Sequence, residues 1–134
     1  IYASSHQMPL YPGTGAVDEQ GAHKNILNLP CPPGMSGTDI ISGWREVLLP
    51  FIVEAAPELI IISAGFDAHI DDPLGGLEMQ TLDFATLTNE IGYCVKSIAE
   101  KFGSCSALSL LEGGYNLEAL GKSVCKHMHA LEAF

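Results

Sequence analysis

The segment from Leu59 to Gly76, which reads LIIISAGFDAHIDDPLGG, decides the fold of this chain. It begins with Leu59–Ile62, an unbroken apolar run that is too short for a helix and does not alternate with polar residues. Such a run is typical of a parallel strand that is buried on both faces. Small residues then lead to Asp67. Because ligands of parallel α/β sheets bind at the carboxyl ends of the strands, Asp67 is the first candidate for a functional residue.

Asp67 has two interpretations from the residues alone. A carboxylate held just after a rigid strand can be a metal ligand, and carboxylate with imidazole suits zinc and other divalent ions. Alternatively, Asp67 caps the following turn by accepting hydrogen bonds from nearby backbone amides. The spacing alone favours the turn cap. His69 and the Asp72-Pro73 pair likewise have ordinary loop and turn interpretations.

The remainder of the chain alternates predicted strands with predicted helices. The strands are expected at 1–5, 25–29, 59–62 and 106–111, with loops at 6–15, 16–24 and 30–37. Helices are expected from a cap at Thr38 or Asp39, with a disruption at Pro50 and an end at Pro57, then over 81–102 before Gly103, and finally after Asn116. This order predicts the α/β class, with a mostly parallel sheet flanked by helices.

The two later helices have apolar stripes at helical spacing. The stripe of the long helix is Phe84, Leu87, Ile91, Cys94, Val95, Ile98 and Phe102, and that of the last helix is Leu117, Leu120, Val124, Met128 and Leu131. These stripes predict the core-facing sides of both helices. His127 and His129 lie two positions apart, do not share a helix face, and are interpreted as non-functional.

Composition excludes several classes of function. With 134 residues, the chain forms at most one domain, and 47% hydrophobic residues are enough for a core. A net charge of −10 argues against direct nucleic-acid binding, which needs a basic surface. The apolar region 47–62 contains two prolines and two glutamates, so we expect no membrane span. Four cysteines without metal or redox spacing, and no secretory leader, predict buried free thiols in a cytoplasmic protein.

A second candidate site follows the strand predicted at 106–111. Glu112-Gly113-Gly114-Tyr115 stands at its carboxyl end, and the glycines leave room for a close approach of the backbone. The Tyr115 hydroxyl can stabilise an oxyanion, or it can be the polar end of a packed tyrosine. The spacing alone favours the packed tyrosine.

Three segments resemble motifs of the zinc-dependent histone deacetylase superfamily, which includes bacterial deacetylase-like and acetylpolyamine amidohydrolases. They are Ser63–His69 with Asp72–Gly76; Ser4-Ser5-His6 with the later Tyr-Pro-Gly-Thr-Gly of residues 11–15; and Leu111–Leu117. Their order is the order of the family. The Glu-Gly-Gly form of the third motif resembles class II and bacterial members. The resemblance covers only the C-terminal part of such an enzyme.

The resemblance implies a partial arginase–deacetylase fold over residues 1–134 and roles for specific residues. Asp67 matches a zinc ligand and Tyr115 matches the tyrosine that stabilises the oxyanion. Tyr11, Leu74, Gly113 and Gly114 match the substrate channel, although Tyr11 can also be a half-buried loop tyrosine. Ser4 matches a residue near a monovalent-cation site, for example for K⁺. The family's Asp-x-His ligand pair and catalytic histidines have no counterpart in this sequence.

The sequence therefore predicts the C-terminal portion of a deacetylase that acts on acetyl-lysine or acetylpolyamine. The chain starts at Ile1 inside a strand-like segment without methionine, so we expect a fragment. Leu74 adds no acid after Asp72-Pro73 to meet a polyamine, which favours acyl-lysine or a generic substrate. The alternative is a non-catalytic binding or assembly fragment. Missing sheet strands would leave unpaired edges and apolar surface, so we expect homo-oligomers, most simply a two-fold dimer.

Overall fold

The structure, a computed structural model, describes residues 1–11 and 13–134. Its elements are β1 (Tyr2–Gln7), β2 (Ile26–Cys31), α1 (Gly37–Gly43), a π-helical turn (Trp44–Leu48), α2 (Leu49–Ala55), β3 (Leu59–Ala64), α3 (Thr81–Phe102), β4 (Ser106–Leu111) and α4 (Leu117–Leu131). The strands pair in parallel and helices flank them, so the predicted α/β class is confirmed. No helix in the described part of the chain is both long and apolar enough to cross a membrane.

The strands form two separate pairs. β1 lies beside β2, with Tyr2 opposite Ile26, and β3 lies beside β4, with Leu59 opposite Ser106. Pro30 and Cys31 belong to β2, although the sequence predicted a loop there. Among the described residues β2 has one neighbour, β1, and a proline is tolerated in such an edge strand because one side needs no N–H donor.

The prediction that β3 is buried on both faces is wrong for this chain. Burial alternates along β3: Ile60 and Ile62 pack against a core that includes Ile98, whereas Leu59 and Ile61 are 52% and 58% exposed. The same alternation continues on β4, where Leu108 and Leu110 are exposed. These exposed leucines and isoleucine (Leu59, Ile61, Leu108 and Leu110) form what we call the open face of the β3–β4 pair.

The first helical region contains a π-helical turn where the sequence predicted a disruption at Pro50. The N–H of Leu49 bonds to the carbonyl of Trp44, five residues earlier. Pro50 then lies in the first turn of α2, where its missing N–H removes no helical hydrogen bond. The N-cap is Ser36 rather than Thr38 or Asp39, because the Ser36 hydroxyl accepts the Asp39 amide at 3.2 Å.

Helix α3 has the predicted bounds and ends at Gly103, but Phe102, predicted to be core, is 50% exposed. The predicted core face of α4 is shifted. Its buried residues are Ala119, Ser123, His127 and Ala130, whereas Leu117 and Met128 are exposed. Leu120 and Val124 are partly buried at the core. Small side chains on the buried face allow α4 to pack closely on α3, and this close packing outweighs the hydrophobic pattern.

Candidate active site

The carboxyl ends of β3 and β4 are held together beyond the last paired residues. The Glu112 N–H donates to the Ala64 carbonyl at 3.0 Å, and the Phe66 N–H donates to the Gly113 carbonyl at 2.8 Å. The turn that carries Asp67 therefore lies against the turn that carries Tyr115. Both follow strand ends, as the sequence predicted.

The Asp67 carboxylate is half-buried and is surrounded by glycine. A Cβ on Gly113 would lie 2.6 Å from Asp67 Oδ2, and one on Gly65 would lie 3.1 Å from Oδ1. A Cβ on Gly75 would collide with the Asp67 carbonyl oxygen. The three glycines thus give the carboxylate its space, and this explains why Gly113 in the Glu-Gly-Gly-Tyr motif has no side chain.

The surroundings of the Asp67 carboxylate disfavour its ionised form. Burial raises the pKa of its carboxyl group, and the charge of Asp72 raises that pKa further, against a smaller opposing effect of the Asp67 backbone amide. None of the described side chains forms a hydrogen bond with this carboxylate. A carboxylate that is partly desolvated, unpaired and next to a second carboxylate is stabilised by a bound cation. The surroundings of the Asp67 carboxylate therefore fit a metal ligand better than a turn cap.

The turn-capping carboxylate is Asp72, which the sequence analysis treated only as turn chemistry. Its Oδ1 accepts the amides of Leu74 at 2.9 Å and Gly75 at 3.1 Å, and its Oδ2 accepts the Tyr115 amide at 2.8 Å. Burial opposes ionisation of Asp72, but the amide donors outweigh it and hold the pKa below its usual value. The Asp-Pro-x-Gly pattern could have identified the local cap. The bond to Tyr115 joins segments that are 43 residues apart, so no local sequence pattern predicts it.

Tyr115 has a fixed backbone and an accessible phenol. Besides the Asp72 bond, its neighbour Asn116 donates from Nδ2 to the Asp71 carbonyl at 3.0 Å. Asn116 also caps α4 by accepting the Glu118 and Ala119 amides at 3.1 Å, as predicted. The Tyr115 side chain is 54% exposed. This exposure contradicts the interpretation as a packed tyrosine.

A cavity of about 1790 Å³ lies between the two strand pairs and brings most of the predicted site residues together. Ser4, Tyr11, Asp67, Leu74 and Tyr115 all line it. Tyr11 is 98% exposed, so it is not a half-buried tyrosine. Its neighbour Pro12, within the Tyr-Pro-Gly-Thr-Gly motif, lies outside the described residues.

Gly113 and Gly114 were also predicted to belong to the substrate channel. Unlike Tyr11 and Leu74, they are not among the residues that line this cavity. Gly113 contacts the Asp67 carboxylate, and Gly114 has φ of 135°, a conformation that favours glycine. Both glycines therefore shape the support of Asp67 and Tyr115.

Two histidines near the cavity have structural hydrogen bonds. His6 donates from Nε2 to the Gly15 carbonyl at 3.0 Å, so its Nδ1 accepts from the Ser4 hydroxyl at 3.1 Å. His69 is buried and accepts the Asp71 amide at Nδ1, so its Nε2 donates to the Thr81 hydroxyl at 3.1 Å. These hydrogen bonds indicate that His6 and His69 hold the loops that follow β1 and β3 in place.

A complete metal site is not formed within residues 1–11 and 13–134, where no three His, Cys, Asp or Glu side chains converge. Catalytic zinc has three protein ligands as a rule. The described residues therefore offer Asp67 as a single candidate ligand and not a complete site.

Known proteins share these motifs and this fold. The family model described as the histone deacetylase domain matches residues 1–131. Histone deacetylase 14, chloroplastic, of Arabidopsis thaliana is 37% identical over 134 residues, which cover 98% of this chain and 31% of that protein. Polyamine deacetylase HDAC10 of Danio rerio is 40% identical over 106 residues, which cover 78% of this chain and 14% of that protein.

The fold also matches solved structures. The acetylpolyamine aminohydrolase of Burkholderia pseudomallei superposes with a TM-score of 0.84 at 29% identity, over 99% of this chain and 38% of that one. The chain thus spans about a third of the Arabidopsis protein and of the Burkholderia structure. From the matched domain, the shared motifs and the common fold, the chain belongs to the histone deacetylase family.

Proposed function

We propose that residues 1–134 are a single partial domain, the C-terminal part of a zinc-dependent deacetylase that hydrolyses N-acetyl amides. The observation that carries this proposal is the arrangement of Asp67 and Tyr115. They stand on adjacent strand ends, are joined through Asp72 and Gly113, and line one cavity.

Zinc, when bound, would polarise the acetyl carbonyl and lower the pKa of its bound water. Asp67 is the ligand that this chain offers. Its raised pKa supports the role, because the half-buried carboxylate gains more from a neighbouring cation than a solvated one does. The other ligands and the histidine base would come from outside residues 1–134.

Tyr115 would donate its phenolic hydrogen to the oxyanion that forms on the substrate carbonyl. A donor is effective when it is fixed before the reaction, because no reorganisation is then needed in the transition state. The bond between the Tyr115 amide and Asp72 supplies that rigidity at the backbone.

The substrate that we propose is an acetyl-lysine side chain or an acetylpolyamine. Leu74, which is 66% exposed at the cavity, presents an apolar surface and no acid, which favours acetyl-lysine. The names of the relatives include both histone deacetylases and a polyamine deacetylase.

We retain a K⁺ site near Ser4 as a prediction. The free thiols of Cys31, Cys94, Cys105 and Cys125 support the cytoplasmic location that we propose. The prediction that all four are buried is wrong, because Cys105 is partly exposed and Cys125 is exposed.

The 134-residue chain alone would be inactive and self-associated. It supplies one matching zinc ligand, and the open face of β3–β4 exposes apolar side chains that a second copy can cover. A non-catalytic assembly role would use the same surface.

The test compares the 134-residue chain with the longer protein that we propose contains it. Zinc content after dialysis and release of acetate from an acetyl-lysine peptide and from acetylspermidine are measured for both. We expect activity and one tightly bound zinc in the longer protein, and neither in the short chain. Activity that survives Asp67→Ala with full zinc content would overturn the proposal. An inactive, zinc-free longer protein would favour the assembly role.

A further inference from the structure

His127 is a buried histidine on α4 that the proposed reaction does not use. It is 7% exposed, although the sequence suggested no role for it. Its Nδ1 lies 2.6 Å from the Thr88 hydroxyl on α3, and its Nε2 lies 2.8 Å from the Ser109 hydroxyl on β4. One imidazole therefore connects three elements.

The hydrogen bonds determine which ring nitrogen carries the proton. The Thr88 hydroxyl lies 2.6 Å from the Phe84 carbonyl, which can only accept, so Thr88 donates its single hydrogen there. Thr88 must then accept from His127, and Nδ1 carries the hydrogen. In the neutral ring Nε2 is left as an acceptor, and Ser109 donates to it. Burial lowers the pKa of His127, which agrees with a neutral ring.

The same ring supports the turn that carries Asp67. The imidazole meets the Phe66 ring edge to face, with centroids 5.7 Å apart and planes at 73°. Phe66 is buried, packs on Phe84 at 5.0 Å between centroids, and directly precedes Asp67 in the chain. Rotation or displacement of the His127 ring would therefore disturb Phe66, the residue to which Asp67 is joined in the chain.

We propose that His127 is a positioning residue, a neutral histidine locked in the Nδ1–H form that bridges Thr88 and Ser109 and fixes Phe66, the residue directly before Asp67. Its relevance to catalysis rests on the proposed function, since it acts through the proposed metal ligand, Asp67. The tautomer and its effect on Phe66 can be measured without any activity.

The first test reads the ring nitrogens of the 134-residue chain by ¹⁵N–¹H NMR. We expect His127 to show a protonated Nδ1 and an unprotonated Nε2. His69 is the internal control, because its bonds to Asp71 and Thr81 require the opposite form, with the proton on Nε2. An Nε2–H or doubly protonated His127 at neutral pH would overturn the proposal.

The second test removes one partner at a time. In Thr88→Val the acceptor for Nδ1–H is lost while the shape is kept, so His127 should change to the Nε2–H form and donate to Ser109. In Ser109→Ala the Nδ1–H form should persist. A tautomer that is unchanged in Thr88→Val would refute the role of Thr88.

The third test follows the Phe66 ring and Asp67 amide resonances in the same variants. Thr88→Val should shift both. The matched control is Thr86→Val, because Thr86 is an exposed residue of the same helix whose hydroxyl also bonds to the carbonyl four residues earlier. If Thr88→Val moves the Phe66 and Asp67 signals no more than Thr86→Val does, His127 does not position the site. If these shifts are seen but the wild-type longer protein hydrolyses no acetyl amide, the positioning role of His127 is supported and the proposed function alone is overturned.

Discussion

The amide nitrogen of Tyr115 lies 2.8 Å from Oδ2 of Asp72, across 43 residues of sequence. This bond joins the two turns that follow β3 and β4, together with the bonds from Phe66 to Gly113 and from Asn116 to Asp71. A buried carboxylate thereby determines where the tyrosine backbone stands, and the following predictions concern this pair and its neighbours.

Asp72→Asn should destabilise the fold by about 1–3 kcal/mol at neutral pH, because the amide nitrogen that replaces one oxygen cannot accept from the backbone. The pKa of Asp72 is depressed by folding, so its ionised form contributes stability above the unfolded pKa of about 4, and this is lost as the pH falls through the folded pKa. Chemical unfolding of wild type and variant at several pH values should therefore show a difference that shrinks in acid. The control is Asp71→Asn, whose side chain is 68% exposed. An equal, pH-independent loss in both variants would contradict this account.

Asp67→Asn should have the opposite effect on stability. Folding raises the pKa of Asp67, so the ionised carboxylate costs stability above the folded pKa, and the cost disappears as the pH falls through the unfolded pKa. We expect the variant of the 134-residue chain to gain about 0.5–2 kcal/mol at neutral pH, the range typical of single stabilising substitutions. Thermal unfolding without metal measures the gain. A variant less stable than wild type at pH 7 would show that the carboxylate is satisfied within the chain.

Gly113→Ala should displace the Asp67 carboxylate, because the new Cβ would lie 2.6 Å from Oδ2. In the longer protein we expect zinc affinity to fall by about 10–100-fold, the range typical of altered ligand support. Gly121→Ala is the control, because its Cβ would meet nothing within 4 Å. Competition with a zinc chelator measures the affinity. Equal affinities in the two variants would remove Gly113 from the ligand support.

Tyr115→Phe in the longer protein should lower kcat by about 10²–10³-fold, with a much smaller change in KM, because one donor to the oxyanion is lost. Tyr93→Phe is the control, since Tyr93 is a 66% exposed residue of α3 outside the cavity. Steady-state kinetics on an acetyl-lysine peptide separate the two constants. A wild-type kcat would exclude Tyr115 from the reaction.

The 134-residue chain should form dimers through the open face of β3–β4. Ile61→Lys places a charge in the centre of that face and should shift the mass toward the monomer in light scattering. Leu82→Lys, on an equally exposed leucine of α3, should leave the mass unchanged. A wild-type chain that stays monomeric at high concentration would be incompatible with this prediction.

The sequence predicted the features that depend on local patterns. The order of strands and helices, the Gly103 and Asn116 caps, and the positions of Asp67 and Tyr115 at strand ends all follow from short-range spacing. Which side chains are buried was harder to predict from the sequence. The alternating exposure of β3 depends on which layers cover it, and the core face of α4 is set by close packing on α3 rather than by its leucines.

Contacts between distant segments were beyond the sequence. Asp72 reaches Tyr115, and His127 reaches Thr88 and Ser109, through the tertiary fold alone. Neither set of partners shares a motif or a helical period. The sequence analysis therefore interpreted Asp72 as turn chemistry and His127 as non-functional.

The division of the strands into two pairs also suggests the order in which the chain folds. β3, α3, β4 and α4 are consecutive, and such a unit closes its contacts within one stretch of sequence, which favours rapid formation. β1 and β2 then dock on this unit, where Cys31 packs in one core cluster with Phe66 and Phe84, and the Gln7 side chain accepts from the Gly76 amide at 2.6 Å. Since the cavity lies between the two pairs, its walls come together only in this late docking step.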